Sequence, residues 1–261
     1  MNKQEIIEKL RDDENYYGKF GNQYLSNSDI KALLTNPLDF KKPSAPSPAF
    51  VVGGYFHTCI LEPNKLDKYK VVKSSIELMR EKVMQNDLFK NLITEGSVEY
   101  EKPGLVELEG MQWKGKCDVI NYSQNMIIDL KTTNNIQTFA SSAHKFNYDS
   151  QAYIYSQMFG FELVFIVIDK KTHQLGLFDC SEKFLQSGQN KVALAVQAYT
   201  EFFVNGDGDF SQYYISKTGM TTSEKNFYTN QSHVKAVDNL RRVTGATKAQ
   251  LRRMFTNINA Y

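Results

Sequence analysis

A chain of 261 residues, 41% hydrophobic and 23% charged, is long enough for one large globular domain, or one domain plus an appendage. No run of 18 apolar residues occurs and the start, MNKQEIIEKLRDDENYYGKF, is charged throughout. Neither a transmembrane helix nor a signal peptide is expected, no membrane partner either, and the cytoplasm is the expected compartment. Cys59, Cys117 and Cys180 are too scattered for a disulfide framework or a zinc cluster, so reduced thiols are expected.

LSNSDIKALLTNPLDFKK carries a Ser/Asn cap signal ahead of Ile30, Leu33 and Leu34, and Pro37 closes it, which predicts a short helix. PSAPSP, residues 43–48, is a loop by composition. From Ala49 to Glu62 the apolar residues Val52, Phe56, Cys59 and Ile60 recur with helical spacing, and Pro63 ends the element. A charged helical stretch follows over Ser75–Ile93. The character then changes. Residues 97–133, SVEYEKPGLVELEGMQWKGKCDVINYSQNMIIDLKTT, alternate with period two and break at Gly110 and at Ser123-Gln124, as an antiparallel meander does.

YDSQAYIYSQMFG (148–160) returns to helix, and FELVFIVIDKKTHQLGLFDC (161–180) reads as a hairpin turning near Lys171. SEKFLQSGQNKVALAVQAYTEFFVNG (181–206) is a long amphipathic helix ended by Gly206. This order predicts an α/β (α+β) protein with a central mixed sheet flanked by helices. From Lys217 onward there are eight Lys/Arg against Glu224 and Asp238, about +6 within a chain of net +2, which leaves about −4 in the body. The division expected is therefore 1–216 for the main domain and 217–261 for a basic linker and helical tail. Such a tail suits an anionic partner; a solvated helical face is the plainer alternative.

The chemistry concentrates in CDVINYSQNMIIDLK, residues 117–131. With a turn centred on Ser123-Gln124, paired residues sum to 247 and Asp118 faces Asp129. Directly opposed side chains lie about 4.5–5.5 Å apart at Cβ on one face of the sheet, where like charges repel. Lys131 shares that face with Asp129, because strand side chains repeat with period two. A divalent cation between the carboxylates reverses the repulsion, since hard oxygen ligands suit Mg²⁺. Such a metal lowers the pKa of water and polarises a phosphoryl oxygen, and Lys131 is placed to stabilise charge developing on phosphate. The plainer alternative puts both aspartates on a wet face, with Lys131 in an ordinary cross-strand ion pair.

GKCDVI, then IIDLKTT, then QAYIY on the following helix, with a histidine in GGYFHTCILEP upstream, resembles the PD-(D/E)xK nuclease superfamily, and within it the RecB-like and RecE-like exonucleases. The resemblance runs from about Leu25 to Phe203. It implies a restriction-endonuclease-like nuclease core. It also implies that Asp118 and Asp129 bind the metal, that Lys131 is the catalytic lysine, and that Leu130 lends its backbone carbonyl. Cys117 stands where a literal PD motif has proline. By the same resemblance His57 is a further metal ligand; it lies one turn after Gly53, and a mid-helix glycine costs about 0.5–1 kcal/mol relative to alanine. Gln151 and Tyr155, at i and i+4 on one helical face, match the Q-x-x-x-Y element that orients DNA or water, although Tyr155 fits a core position as well. Glu62 is near enough in sequence to join the metal shell through water. Ser26 and Ser28 match a Ser-rich helix start that presents N–H groups to phosphate, which capping explains equally.

The resemblance implies a Mg²⁺-dependent DNA exonuclease, with Mn²⁺ as substitute, acting on linear duplex, 5′→3′ in the RecE-like group. Such enzymes leave 3′ single strands for a single-strand annealing protein, and processive members are ring-shaped homo-oligomers. A phage-encoded enzyme of this kind works in the bacterial host cytoplasm. The three cysteines do not fit the four-cysteine iron–sulfur cluster of some relatives, so none is expected. The alternatives are a structure-specific endonuclease or single-strand nuclease of the same superfamily, and a non-catalytic DNA-binding adaptor on its fold.

Overall fold

The computed structural model describes residues 1–43, 46–69 and 74–205. The expected basic tail, the proposed boundary at 216, and Ser44-Ala45 of the PSAPSP loop lie outside the described residues. Three helices precede the region of α4: α1 (Lys3–Lys9), α2 (Asp13–Tyr17) and α3 (Asn27–Thr35). Ser26 opens α3 in a capping box with Asp29. Helix α4 (Pro48–Leu61) starts on Ser47, whose hydroxyl accepts from the Phe50 N–H, with Pro48 at its first position. The charged stretch expected as one helix is two, α5 (Ser74–Gln85) and α6 (Asp87–Thr94). Asn86 breaks it, because its side chain accepts from the Phe89 N–H and so caps a new helix.

The meander forms as expected: β1 (Val98–Leu108), β2 (Met111–Asn121) and β3 (Met126–Thr133). Glu109 and Gly110 both have positive φ, 52° and 74°, as a tight two-residue hairpin between Leu108 and Met111 requires. β3 leads through α7 (Phe139–Lys145) and α8 (Tyr148–Phe159) to β4 (Glu162–Asp169), which runs parallel to it; the two helices supply the crossover that a parallel pair needs. β5 (Leu175–Asp179) pairs antiparallel to β4, and α9 (Glu182–Tyr199) follows. The sheet is mixed, in the order β1-β2-β3-β4-β5. The expected final helix to Gly206 is α-helical only to Tyr199 and continues as a π-turn over Thr200–Val204. Helices α1, α2 and α7 were not anticipated from the sequence.

Two apolar layers sandwich the sheet. Ile127, Phe165 and Val167 pack with Ile30, Ile154 and Val192 of α3, α8 and α9. Ile128, Leu130 and Ile166 pack on the other side with Phe56, Met79 and Phe89 of α4, α5 and α6. β4 is buried from Leu163 through Asp169, as a central strand covered on both faces should be. Among the described residues no helix is long and apolar enough to cross a membrane.

Candidate functional site: a carboxylate cluster where β2 parts from its neighbours

The observed β2–β3 pairs, Asn121↔Met126, Ile120↔Ile127 and Val119↔Ile128, keep the expected register. Backbone pairing then stops one step short of Asp118 and Asp129. In its place the Leu130 N–H donates to Asp118 Oδ2 at 2.7 Å, so a side chain substitutes for the missing strand partner. On the other side β2 pairs Val119 with Tyr100 and Cys117 with Lys102 but skips Glu101 and Asp118. Glu101 sits there in the left-handed region at φ 47°, a conformation costly for a residue with a Cβ. The sheet therefore opens around Asp118 on both flanks.

Into this opening α4 delivers His57, whose Nδ1 lies 3.2 Å from Asp118 Oδ2. A side chain at Gly53, one turn earlier, would lie in ordinary contact with Thr132 Oγ1 at 3.8 Å, so Gly53 leaves open space rather than relieving a clash. Donor atoms of His57, Glu101 and Asp118 lie within 4.8 Å of one another. Asp129, 1% exposed, faces Lys131 through an ion pair at Oδ1, while its Oδ2 accepts from Gln151 Nε2 at 2.6 Å. The Lys131 ammonium also lies over the Tyr148 ring, 4.7 Å from its centroid.

The electrostatics pull these groups apart. Burial pushes the Asp129 pKa upward, against Lys131 and with the help of Asp118, to about 6. Burial likewise raises Glu101, with Asp118 adding, to about 7. For Asp118 burial works upward too, but His57 and Lys131 outweigh it and the net direction is down. Burial alone would lower His57, and the Asp118 carboxylate reverses that, so its net shift is upward. Lys131 follows the same logic: burial lowers it, Asp129 more than compensates, and it is raised. Several acids crowded here with opposed shifts mark a candidate functional site. The donors are hard oxygens plus an imidazole, Asp129 Oδ1 is buried against the Lys131 ammonium, and burial opposes the ionisation of both Asp129 and Glu101. That set fits a divalent cation of the Mg²⁺ or Mn²⁺ kind.

The sequence-predicted residues do not all lie together. His57, Asp118, Asp129, Lys131, Leu130 and Gln151 converge. Tyr155 is 7% exposed and donates to the Lys116 carbonyl at 3.0 Å, so its hydroxyl is spent bracing β2. Its ring fills the space a side chain at Gly115 would need, 2.6 Å from that Cβ position. Glu62 forms an ion pair with Lys65. Ser26 spends its hydroxyl on Asp29 at 2.8 Å, the capping alternative. Glu101 was missed. The signal was available: counting back from the Glu109-Gly110 turn pairs it with Asp118, just as the next turn pairs Asp118 with Asp129.

Fold and site together define a PD-(D/E)xK-type nuclease architecture. The family model described as "PDDEXK-like domain of unknown function (DUF3799)" matches residues 25–207, and the chain belongs to that family. No curated protein matches. Among solved structures, a "Putative exonuclease" from Eubacterium rectale is similar at 18% identity and TM-score 0.60, over 82% of this chain and 97% of that one. A "phage related exonuclease" from Haemophilus somnus 129PT aligns at 12% identity and TM-score 0.35, over 70% of this chain and 96% of that one.

Proposed function

We propose that this protein is a divalent-metal-dependent DNA exonuclease that removes nucleotides from linear duplex, with Mg²⁺ as the working ion and Mn²⁺ as a substitute. The observation that carries the reading is the unpaired opening of the sheet at Asp118, where Glu101, Asp129, Lys131 and His57 gather. Asp118, Asp129, His57 and the Leu130 carbonyl are the groups proposed to hold the metal, with Glu101 added to the expected set. When bound, such an ion polarises a phosphoryl oxygen and makes water a competent nucleophile near neutral pH.

The chain's own residues do the rest. Lys131, held by Asp129 and the Tyr148 ring, offers its ammonium to charge developing on the phosphate. Gln151 fixes one oxygen of Asp129, so the other is turned toward the site. Tyr155 acts at one remove by holding β2 at Lys116, and is a positioning residue. The exonuclease name of the Eubacterium rectale structure supports an end-dependent enzyme. A 5′→3′ direction, a single-strand annealing partner and a ring-shaped oligomer belong to the same proposal through the RecE-like resemblance. So does a nuclease unit ending near residue 216.

The test is nucleotide release from end-labelled linear duplex with Mg²⁺. Wild type should release mononucleotides, and Asp129→Ala and Lys131→Ala should release none. Full activity in either variant would overturn the site assignment. Cleavage of covalently closed circles would replace the exonuclease with a structure-specific endonuclease. Binding without any metal-dependent turnover would leave the adaptor reading.

A further inference from the structure

Helix α2 precedes the family-matched segment, residues 25–207, yet it stands at the edge of the site. Asp13 at its start pairs with Lys116 at 2.6 Å and with Lys65 at 3.6 Å. Lys116 lies on β2 two residues before Asp118, and Lys65 lies in the short 3-10 helix Pro63–Lys68 that follows α4. One carboxylate thus ties α2 to both walls that meet at the metal site. At the other end of α2, Tyr17 is 69% exposed, whereas its neighbour Tyr16 is buried beneath the ammonium groups of Lys114 and Lys116. The Tyr17 ring is braced rather than loose. Tyr16 meets it edge-on at 4.9 Å between centroids, and the Lys116 ammonium stands 5.7 Å away.

The Lys116 ammonium that borders the Tyr17 ring belongs to β2, two residues before Asp118, so the ring stands at the edge of the carboxylate cluster. The other exposed aromatics among the described residues border the same region. Phe50, 72% exposed, shares the i, i+3, i+7 face of α4 with Gly53 and His57. Phe146, 57% exposed, packs 5.8 Å from Tyr148, the ring that carries Lys131.

We propose that Tyr17 is a nucleobase-stacking residue: with a phosphodiester against Asp118 and Asp129, the unpaired base of the adjoining nucleotide stacks on the Tyr17 ring. The inference rests on the nuclease reading above and adds to it the state of the substrate. A base inside a duplex has both faces covered by its neighbours, so an exposed ring engages a base at an end, and an unpaired one offers it the most π-face. Stacking on an aromatic ring tolerates any base, because each has a π-face. That suits an enzyme that must advance through every sequence.

The test uses the full chain with Ca²⁺ and duplexes carrying a short unpaired 5′ or 3′ end, with 2-aminopurine as the last unpaired base. Wild type should quench the probe. Tyr17→Ala should lose the quenching and bind on the order of tenfold more weakly, while Tyr17→Phe keeps both because the ring remains. Leu88→Ala, an exposed change on α6, serves as control and should match wild type. Quenching and affinity unchanged in Tyr17→Ala overturn the proposal, which would leave the ring to a protein partner. Equal losses in Tyr17→Phe and Tyr17→Ala also overturn it, by moving the role to the hydroxyl. Nucleotide release by wild type with Mg²⁺ shows separately whether the nuclease reading stands; a wild type that neither binds nor cleaves these DNAs overturns both.

Discussion

Two buried clusters in this protein use the same residue types and differ in how completely they are satisfied. Around Asp149, the carboxylate accepts from Lys191 Nζ at 2.9 Å, Ser187 Oγ at 2.7 Å and the Ser150 N–H at 2.9 Å, with His144 Nδ1 at 3.0 Å. Lys191, 2% exposed, also donates to Asn147 Oδ1 at 3.0 Å and to the His144 carbonyl. Gly188 lets α9 come this close, since a Cβ there would stand 2.1 Å from the Asp149 carbonyl oxygen. Around Asp118 and Asp129, by contrast, three carboxylates gather about one lysine and one histidine, which pair with Asp129 and Asp118. The first cluster is closed and locks the α7–α8 turn, which places Gln151. The second is open, with acceptors to spare. Saturation of acceptors, rather than the presence of Asp, Lys and His, separates strut from site.

Substitutions in the two clusters should therefore fail in opposite ways. Lys191→Met leaves Asp149 buried without its cation and should cost about 3–5 kcal/mol in a urea melt; a cost below about 1 kcal/mol would erase the contrast. Asp129→Asn should lower nucleotide release on the order of 10²–10³-fold, about 2.7–4 kcal/mol of barrier. Its effect on stability should be smaller than that of Lys191→Met, because relief of the disfavoured Asp129 charge offsets the loss of its ion pair with Lys131. Ca²⁺ at a hundredfold its Kd should stabilise the wild type by about 2.7 kcal/mol in thermal melts. Asp118→Ala should abolish that gain and Ser187→Ala should preserve it.

The smallest effect concerns pH. The Glu101 pKa is raised from 4.5 to about 7, so between those values the folded state holds a proton that the unfolded state has lost. The stability of the metal-free protein should then rise as pH falls through about 7 and level off below about 4.5. Glu101→Gln should flatten part of that slope and gain about 1–2 kcal/mol at pH 8, an amount reduced from the full shift for partial exposure. A metal-free melt series against pH checks both the sign and the size.

Local repetition made much of this legible. Period-two alternation and the turn at Ser123-Gln124 set the β2–β3 register, and with it the facing of Asp118 and Asp129, because pleat and hairpin geometry leave no freedom once the turn is placed. Helical spacing closed by Pro63 placed α4, and the Ser/Asn cap signal placed α3, whereas the Ser47 cap of α4 was read only in the structure. The sequence by itself thus determined the β1–β2–β3 meander and the register that aligns Asp118 with Asp129, whereas the parallel β3–β4 pairing was left to the fold. The sequence could not decide which charges end up buried. Lys191 sits in an amphipathic segment where a lysine is expected to face water, and Asp149, 42 residues away, with the oxygens of Asn147 and His144, makes its burial tolerable. The left-handed kink at Glu101, the approach of His57 from α4 and the bridging of α2 by Asp13 are likewise contacts between segments remote in the chain. Tertiary structure decided these, because a buried charge is stabilised by partners that folding alone brings within reach.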